Sequence, residues 1–366
     1  MYPFGLATAY PRNRWYIAAL SAEITQTPFE RMLLDVPVAL YRTEDGRPVA
    51  MYGRCPHRFY PLALGRVEGD GLVCGYHGFK FAASGKCVRI PAQNSGANFE
   101  QPTYPLEERD TYTWIWMGDP KLADPSSIPP YEDFGLDQPG WAVSGGYRLE
   151  INGRSQLLID NLMDLTHLPH VHHHVPGGDA YLQSRHTLSE RPRSLRLTQE
   201  MPGTWSPFFE FLWGADQRFD GEVMLHQVTD FYGPEFVKTS GPLIDFAQDG
   251  EGHLSTSHGI VYFLHGVTPA TAHSTHFFCA QTRNFRIDDD AFGQALHELD
   301  EVIRMQDVVA INHVEPDVER SSQVQRELLA RSDRAAAAVR ERIKEMILAE
   351  QPSQASEPAP ARNLAG

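Results

Sequence analysis

Four residues in the first third of the chain could hold a metal centre together. Cys55 and His57 form a C-x-H pair, and Cys74 and His77 form a C-x-x-H pair after the spacer 58–73. Two thiolates suit one iron, and two neutral imidazoles suit the other iron, of a Rieske-type two-iron, two-sulfur cluster. The spacing therefore predicts an electron-transfer site contributed by two loops.

A structural zinc site is the alternative, because paired cysteines and histidines also bind zinc tetrahedrally. The strand-rich surroundings of both pairs favour the cluster. Gly75 and Gly78 also favour it, because glycine lets a backbone approach a bulky group closely. Cys87 and Cys279 are more typical of small buried hydrophobic residues than of ligands.

A second concentration of histidines and acids lies in residues 160–174. Iron(II) that must bind oxygen commonly takes two histidines and one carboxylate on one face and leaves other positions open. Asp164 and His167 are three residues apart and should share one face of a helix over residues 155–168, which Pro169 then interrupts. A polar helix end with solvated histidines is the alternative. Spacing does not select among His170, His172, His173 and His174.

The third ligand must come from elsewhere in the chain. Residues 291–311 form the clearest amphipathic helix, with apolar side chains at 3.6-residue spacing at Phe292, Leu296, Leu299, Ile303 and Ala310. Asp307 falls on this apolar stripe, where a carboxylate is costly unless it is paired or coordinated. Asp300 is the alternative carboxylate ligand, although an acid at its position is more typically a salt-bridged surface residue.

Several segments resemble the Rieske oxygenases that act on aromatic compounds. GRCPHR, CGYHGFKF and YPLEERDTYTWIWMGDP resemble their Rieske domain, whereas RNRWYIAAL and NLMDLTHLPHVH resemble the homo-oligomeric branch of vanillate, toluenesulfonate and dicamba oxygenases. The resemblance covers most of residues 12–320. It implies that the D-x-x-H-x-x-x-x-H motif supplies His167 and His172 to a mononuclear Fe(II), with Asp307 as the carboxylate. Gln306 stands where the family commonly has an acidic residue.

The resemblance also implies roles for two neighbouring residues. Asp164 would hydrogen-bond a cluster histidine of one subunit and an iron histidine of the next, as in a ring-shaped homotrimer. Asn161 would lie close to the iron and adjust its coordination.

The activity implied is that of a monooxygenase using O2 to hydroxylate a methyl or methoxy carbon of a small aromatic substrate. A hydroxylated methoxy group collapses to formaldehyde and a phenol, so O-demethylation is expected. We find no G-x-G-x-x-G after a strand and no flavin motif, so NAD(P)H would be oxidised by a separate flavin- or ferredoxin-type reductase. The alternatives are a ring-hydroxylating dioxygenase, an N-demethylase, a non-catalytic Rieske electron carrier, or a zinc-stabilised binding protein.

Composition limits the class of protein that must position these residues. The 366 residues are 42% hydrophobic and 22% charged, which suits a folded chain of two units. A formal net charge of −15 argues against nucleic-acid binding, which needs a basic face. We recognise no secretory signal and no apolar run long enough for a membrane span, so a cytoplasmic location is expected.

The periodicity of the sequence predicts an α+β architecture. Short strands with turn punctuation, including an EDG turn, indicate an antiparallel β Rieske domain over residues 1–120. A Pro-, Asp- and Gly-rich connection from residue 121 should lead into a catalytic domain, residues 121–350, with helices packed on an antiparallel sheet in a helix-grip-like manner. Residues 204–214 offer aromatic side chains for a pocket, although most should build the sheet core. Residues 351–366 have the composition of a disordered tail.

Overall fold

The computed structural model describes residues 10–93, 95–173, 177–250, 253–322 and 324–350. The first part of the chain consists of short strands in three antiparallel sheets. They are β1 (Trp15–Leu20), β2 (Phe29–Leu33), β3 (Val36–Arg42), β4 (Pro48–Tyr52), β5 (Arg66–Glu68), β6 (Gly71–Val73), β7 (Lys80–Phe81), β8 (Cys87–Arg89), β9 (Thr103–Tyr104), β10 (Leu106–Arg109) and β11 (Tyr112–Trp116).

The three sheets have the orders β1–β11–β10, β2–β3–β4–β9 and β5–β6–β7–β8. Leu34 and Asp35 join β2 to β3 and both have positive φ values, 50° and 64°, as a two-residue type I′ hairpin requires. The β3–β4 hairpin turns at the predicted EDG segment, where Gly46 has a φ of 91°. These tight turns leave two longer loops, one after β4 and one between β6 and β7, and these loops carry the two Cys/His pairs.

The second part of the chain combines one large sheet with helices. Its elements are β12 (Ala142–Ile151), α1 (Ser155–Met163), α2 (Leu168–Val171), β13 (Arg185–Glu190), β14 (Leu195–Thr204), α3 (Pro207–Trp213), β15 (Glu222–Gly233), β16 (Phe236–Ser240), β17 (Ala247–Gln248), β18 (Leu254–Ser255), β19 (Val261–Thr271), β20 (Ser274–Arg283), α4 (Asp290–Ser322) and α5 (Arg334–Glu350). Seven strands pair antiparallel in the order β12–β20–β19–β16–β15–β14–β13. Among the helices that the structure describes, none has the length and apolar character needed to cross a membrane.

The central strands of the large sheet are buried on both faces. β19 and β20 have almost continuous runs of buried residues instead of an alternating pattern. One face packs against α1, α4 and α5 around Leu158, Val308 and Val339. The opposite face packs against β1, β11 and the connecting segment. The sheet is thus the common core of the molecule, and the predicted α+β fold with helices on an antiparallel sheet is confirmed.

The predicted connection after β11 contributes to this core. It folds into 3-10 turns at Pro120–Leu122, Pro125–Ser127 and Tyr131–Phe134. Tyr131 and Phe134 are buried against the large sheet. The weak periodicity of the segment therefore reflects short turns packed on the sheet.

The helix expected over residues 155–168 is shorter, and that prediction was wrong. α1 ends at Met163 because Asp164 is extended, with φ −133° and ψ 99°. A 3-10 turn, Leu165–His167, and then α2 follow. Pro169 lies in the first turn of α2, where a missing N–H is tolerated, so the proline does not cause the break. Asp164 and His167 therefore do not share a helix face.

The aromatic segment over residues 204–214 is mainly helical, so our expectation of a strand was wrong. α3 begins after Ser206, with Pro207 in its first turn. The predicted tail, residues 351–366, lies outside the described residues.

Candidate metal centres

The first Cys/His loop is a tight turn closed by its own backbone. The N–H of Cys55 donates to the carbonyl of Tyr60 at 2.9 Å, and the N–H of Phe59 donates back to Cys55 at 2.8 Å. Phe59 has a φ of 56°, a left-handed conformation that closes the turn. Its side chain is 74% exposed. The thiol of Cys55 is buried and the imidazole of His57 is exposed.

The second loop repeats this geometry. The N–H of Cys74 donates to Phe79 at 2.8 Å, and the N–H of Gly78 donates to Cys74 at 3.1 Å. Gly78, at φ 72°, occupies the position of Phe59 in the first loop. Gly75 is required for a different reason: a Cβ there would lie 2.5 Å from the carbonyl oxygen of Leu64. The two loops thus form a matched pair.

The matched loops bring the four predicted ligands together. The ring centroids of His57 and His77 are 4.5 Å apart. Cys55 and Cys74 are free, buried thiols in contact with each other. Burial and the neighbouring Cys74 raise the pKa of Cys55 to about 11. A buried thiol pair beside an exposed imidazole pair suits a two-iron cluster, in which the two ligand types divide between the irons.

The second site begins at the break after α1. The carboxylate of Asp164 accepts hydrogen bonds from the N–H and hydroxyl of Thr166 at 2.9 and 2.7 Å, and so caps the 3-10 turn. The carbonyl of Asp164 lies 2.7 Å from Nδ1 of His167. This residue therefore orients His167 through its backbone.

His172 is the other histidine brought to this site. It is 3% exposed, whereas His170 and His173 are exposed, and His174 lies outside the described residues. Nδ1 of His172 is 2.8 Å from Oε1 of Gln306 on α4.

Asp307 of α4 completes the group. Ligand atoms of His167, His172 and Asp307 all lie within 4.8 Å of one another. Oδ1 of Asp307 is 3.4 Å from Nε2 of His167 and 3.1 Å from Nε2 of His172. Burial raises the pKa of Asp307, but the two histidines outweigh it and hold that pKa well below its usual value.

The orientation of the two imidazole rings suits a bound cation. Both Nδ1 atoms face oxygen acceptors, so each carries a hydrogen in the neutral ring. The Nε2 lone pairs of His167 and His172 then point at a carboxylate oxygen, which is repulsive unless a positive charge lies between them. Two histidines and one carboxylate fit a divalent iron with open positions.

Asn161, on α1, is also part of this site. Its Nδ2 donates to Oδ1 of Asp307 at 3.1 Å and lies 3.4 Å from Nε2 of His167. Its Oδ1 is buried and has no hydrogen-bond partner among the described residues. Asn161 thus lies beside His167 and Asp307, and its expected role in adjusting metal coordination stays a prediction.

The three residues lie in the wall of a cavity of about 380 Å³. Leu162, Phe208, Phe209 and Phe263 contribute apolar surface. Two of the five aromatic residues noted at 204–214, Phe208 and Phe209, therefore do reach the pocket. Trp205, which precedes α3, and Phe211 and Trp213, which belong to it, pack in one hydrophobic cluster.

Sequence reasoning missed a polar group in the same wall. Asp300 is buried instead of exposed, so the surface role expected for it was wrong. It accepts a hydrogen bond from Nε of Arg304 at 2.6 Å. Nη1 of Arg304 reaches Nδ1 of His265 at 2.8 Å. Burial and the Arg304 guanidinium hold the pKa of His265 well below its usual value. The i, i+4 spacing of Asp300 and Arg304 was the available signal.

Comparison with known proteins identifies the family. Residues 14–105 match the Rieske [2Fe-2S] domain, and residues 151–349 match the vanillate O-demethylase oxygenase C-terminal domain. The chain belongs to the Rieske oxygenases. This Rieske oxygenase is 35% identical over 302 residues to the oxygenase component of dicamba O-demethylase from Stenotrophomonas maltophilia, covering 81% of this chain and 83% of the relative.

Two further similarities extend this result. The iron-sulfur subunit of the toluene-4-sulfonate monooxygenase system from Comamonas testosteroni is 35% identical over 297 residues, covering 78% of this chain and 83% of the relative. A crystal structure of dicamba monooxygenase with non-heme iron and dicamba has a TM-score of 0.73 and 28% identity, covering 93% of this chain and 98% of that one.

The family membership confirms several predictions. This Rieske oxygenase is an oxidoreductase, and its Rieske domain indicates a two-iron, two-sulfur cluster, so the zinc alternative was wrong. Its relatives are named as components or subunits, which implies a separate reductase.

Proposed function

We propose that this Rieske oxygenase holds its cluster with Cys55, His57, Cys74 and His77. The matched loops, with buried thiols and exposed imidazoles, support this ligand set. We also assign the cluster domain to residues 1–120 and the catalytic domain to residues 121–350.

We further assign His167, His172 and Asp307 to a mononuclear Fe(II). The observation that carries the function is the position of this triad in the wall of a mainly apolar cavity. When bound, the cluster would supply electrons singly and the mononuclear iron would activate O2 for attack on a substrate C–H bond.

The chain itself contributes orientation and exclusion of water. The Asp164 carbonyl and the Gln306 amide hold the two imidazoles so that both Nε2 atoms face Asp307. Asn161 donates its amide N–H to Oδ1 of the same carboxylate and so helps to orient it. The leucine and phenylalanine side chains of the cavity bind an aromatic ring and exclude water from the reacting carbon.

The reaction proposed is hydroxylation of a methyl or methoxy carbon of a small aromatic compound, with formaldehyde released from a methoxy group. The names of the relatives, dicamba O-demethylase and toluene-4-sulfonate monooxygenase, support both kinds of carbon. N-dealkylation is the second candidate, because the oxygenase component of chloroacetanilide N-alkylformylase is also a relative of this chain.

We place the protein in the cytoplasm as a homotrimer in which one subunit's cluster serves the next subunit's iron. His57 and His77 are exposed, and Phe59 and Tyr76 beside them are 74% and 59% exposed, so the cluster edge is free to meet a partner surface. The half-buried Asp164 is the residue we expect to bridge the two centres.

Metal analysis and product analysis test the proposal. The purified oxygenase should contain about three irons per chain and, once reduced, give a Rieske EPR signal. The Asp307→Ala variant should lose about one iron while keeping that signal, and Asp317→Ala, an exposed acid of the same helix, should lose none. Oxygen-dependent formaldehyde from a panel of methoxyarenes would support demethylation. Cis-diol products without formaldehyde would overturn it.

A further inference from the structure

A chain of four hydrogen-bonded, buried side chains runs along the wall of the active-site cavity. Asp300 accepts from Arg304, and Arg304 reaches Nδ1 of His265 at 2.8 Å. Nε2 of His265 lies 2.9 Å from Oγ1 of Thr239. All four residues line the cavity, and each is at most 6% exposed.

The direction of these hydrogen bonds is fixed by chemistry. A guanidinium can only donate, so Nδ1 of His265 must accept from Arg304. The neutral ring then carries its hydrogen on Nε2, which donates to the hydroxyl oxygen of Thr239. The Thr239 hydroxyl can still donate its own hydrogen, and the residues that the structure describes offer that hydrogen no acceptor. The Thr239 hydroxyl is therefore available to donate a hydrogen bond to a molecule in the cavity.

The charges in the cavity wall are already balanced. Arg304 supplies the guanidinium there, and the carboxylate of Asp300 neutralises it at 2.6 Å. Nη2 of Arg304 is buried and has no hydrogen-bond partner among the described residues, but the paired carboxylate of Asp300 already neutralises the guanidinium charge. Within the described part of the chain, no other lysine or arginine lines the cavity. Tyr181 donates to Gln227 at 2.9 Å, so that polar pair is also satisfied.

We infer that Thr239 selects an uncharged aromatic substrate by donating a hydrogen bond to a neutral oxygen acceptor on the ring, such as an amide carbonyl, in preference to an aryl carboxylate. A carboxylate buried here would lose its hydration without gaining a cation from the wall, which is costly. A neutral carbonyl loses less hydration and gains one hydrogen bond. This inference rests on the proposed function, because it concerns the substrate of the same cavity.

Matched ligand pairs test the selection by binding, independently of turnover. The probes are the 2-, 3- and 4-methoxybenzamides and the corresponding methoxybenzoates, which have nearly the same shape and differ in charge. Calorimetric titration of the metal-loaded full-length protein should show that at least one amide binds about tenfold or more tightly than its benzoate, a difference of about 1.4 kcal/mol. Equal or tighter binding of the benzoate in every pair overturns the inference.

Variants test whether Thr239 is responsible. Thr239→Val keeps the shape and removes the donor, and it should weaken amide binding about tenfold, the effect of one net hydrogen bond. Thr239→Ser should restore most of the affinity. Thr229→Val is the matched control, because Thr229 pairs directly with Thr239 across β15 and β16, is fully buried and does not line the cavity. It should leave amide binding unchanged.

The experiments distinguish failure of the proposed function from failure of the inference on Thr239. If the amides bind selectively but no oxygen-dependent product forms, the proposed function fails and the inference on selectivity stands. If product forms but Thr239→Val and Thr229→Val have the same affinity for the amide, the role of Thr239 is wrong and the proposed function stands.

Discussion

Gln306 accepts a hydrogen bond from Nδ1 of His172 through its side-chain amide oxygen, at 2.8 Å. Gln306 directly precedes Asp307 on α4, so one helical segment supplies a carboxylate to the proposed iron site and also orients a histidine there. His167 is oriented by a backbone carbonyl. Both imidazoles are thus held by neutral oxygen acceptors. Loss of such an outer partner typically lowers metal affinity or activity about 10–100-fold.

The Gln306→Leu variant should therefore bind the mononuclear iron about 10–100-fold more weakly. Iron retained per chain, measured after dialysis against a series of chelator concentrations, gives this change. Gln306→Glu should retain iron at least as well as the natural protein, because a charged acceptor forms a stronger hydrogen bond. Gln294→Leu, on the exposed surface of the same helix, is the control. Equal iron retention by the two leucine variants would contradict the role of Gln306.

The left-handed glycine of the second Cys/His loop gives the next prediction. Gly78→Ala forces an L-residue to φ 72° and brings its Cβ to 3.0 Å from Cγ of Pro91, so the turn beside His77 should distort and the chain should retain less cluster. Gly69→Ala carries similar strain, at φ 65°, in the β5–β6 turn with open space around its Cβ. Both variants should lose about 1–2 kcal/mol of unfolding free energy. Acid-labile sulfide per chain should fall in Gly78→Ala alone, and a similar fall in Gly69→Ala would show general instability.

The proposed iron triad illustrates how much of the site could be predicted from sequence alone. Asp307 was predictable because a carboxylate on an apolar helix stripe needs a partner, and the structure buries it beside two histidines. His172 could not be selected from its neighbours, because the choice depends on the break at Asp164 and on a hydrogen-bond partner, Gln306, far along the chain. Long-range contacts of this kind leave no trace in local spacing.

The wrong and missing sequence predictions each have a physical cause. Asp164 ends α1 because its side chain can cap the following turn, a competing role that aspartate often takes. The helix at Pro207–Trp213 was missed although serine followed by proline is a helix start signal. Arg304 and His265 were missed because their burial depends on how α4 crosses the sheet.

A buried charge cluster in the large sheet gives a prediction for pH. Asp230 is fully buried between Arg196 and Lys238, at 2.7 and 2.9 Å. Burial raises the pKa of Asp230, but Lys238 and Arg196 outweigh it and hold that pKa below its usual value. The unfolded chain, with a pKa of about 3.9, therefore takes up the proton first. The stabilisation is complete above that pH and is lost as pH falls towards the folded pKa.

Asp230→Asn should accordingly cost about 3–5 kcal/mol at neutral pH, because two buried cations lose their counter-charge. The difference in unfolding free energy between the natural protein and Asp230→Asn should shrink as pH falls below about 4. Urea unfolding between pH 3 and 7 measures this difference. Asp220→Asn, at a fully exposed acid, should show almost no difference. A difference in unfolding free energy that grew as pH fell would contradict the predicted direction of the effect.

Glu350, the last residue of α5, is hydrogen-bonded to the backbone that precedes β1. The carboxylate of Glu350 accepts the backbone N–H groups of Arg12 and Asn13, both at 2.7 Å. Glu350→Ala should leave these two donors without their carboxylate acceptor and cost about 1–3 kcal/mol of unfolding free energy. Glu341→Ala, at an exposed acid of the same helix, should cost much less. A chain that ends at Glu350, without the predicted tail, should unfold at the same temperature as the full chain.

Mixed oligomers decide whether electrons pass between subunits. Cys74→Ser should remove the cluster from one kind of chain, and Asp307→Ala should remove the mononuclear iron from the other, so each variant alone should be inactive. If the exposed cluster edge around His57 and His77 meets the neighbouring subunit, co-expressed chains should recover part of the formaldehyde production, because some interfaces then join an intact cluster to an intact iron. Circular dichroism and gel filtration of each variant check that both chains fold and assemble. Transfer within one chain would leave the mixture as inactive as its components, because no single chain holds both centres.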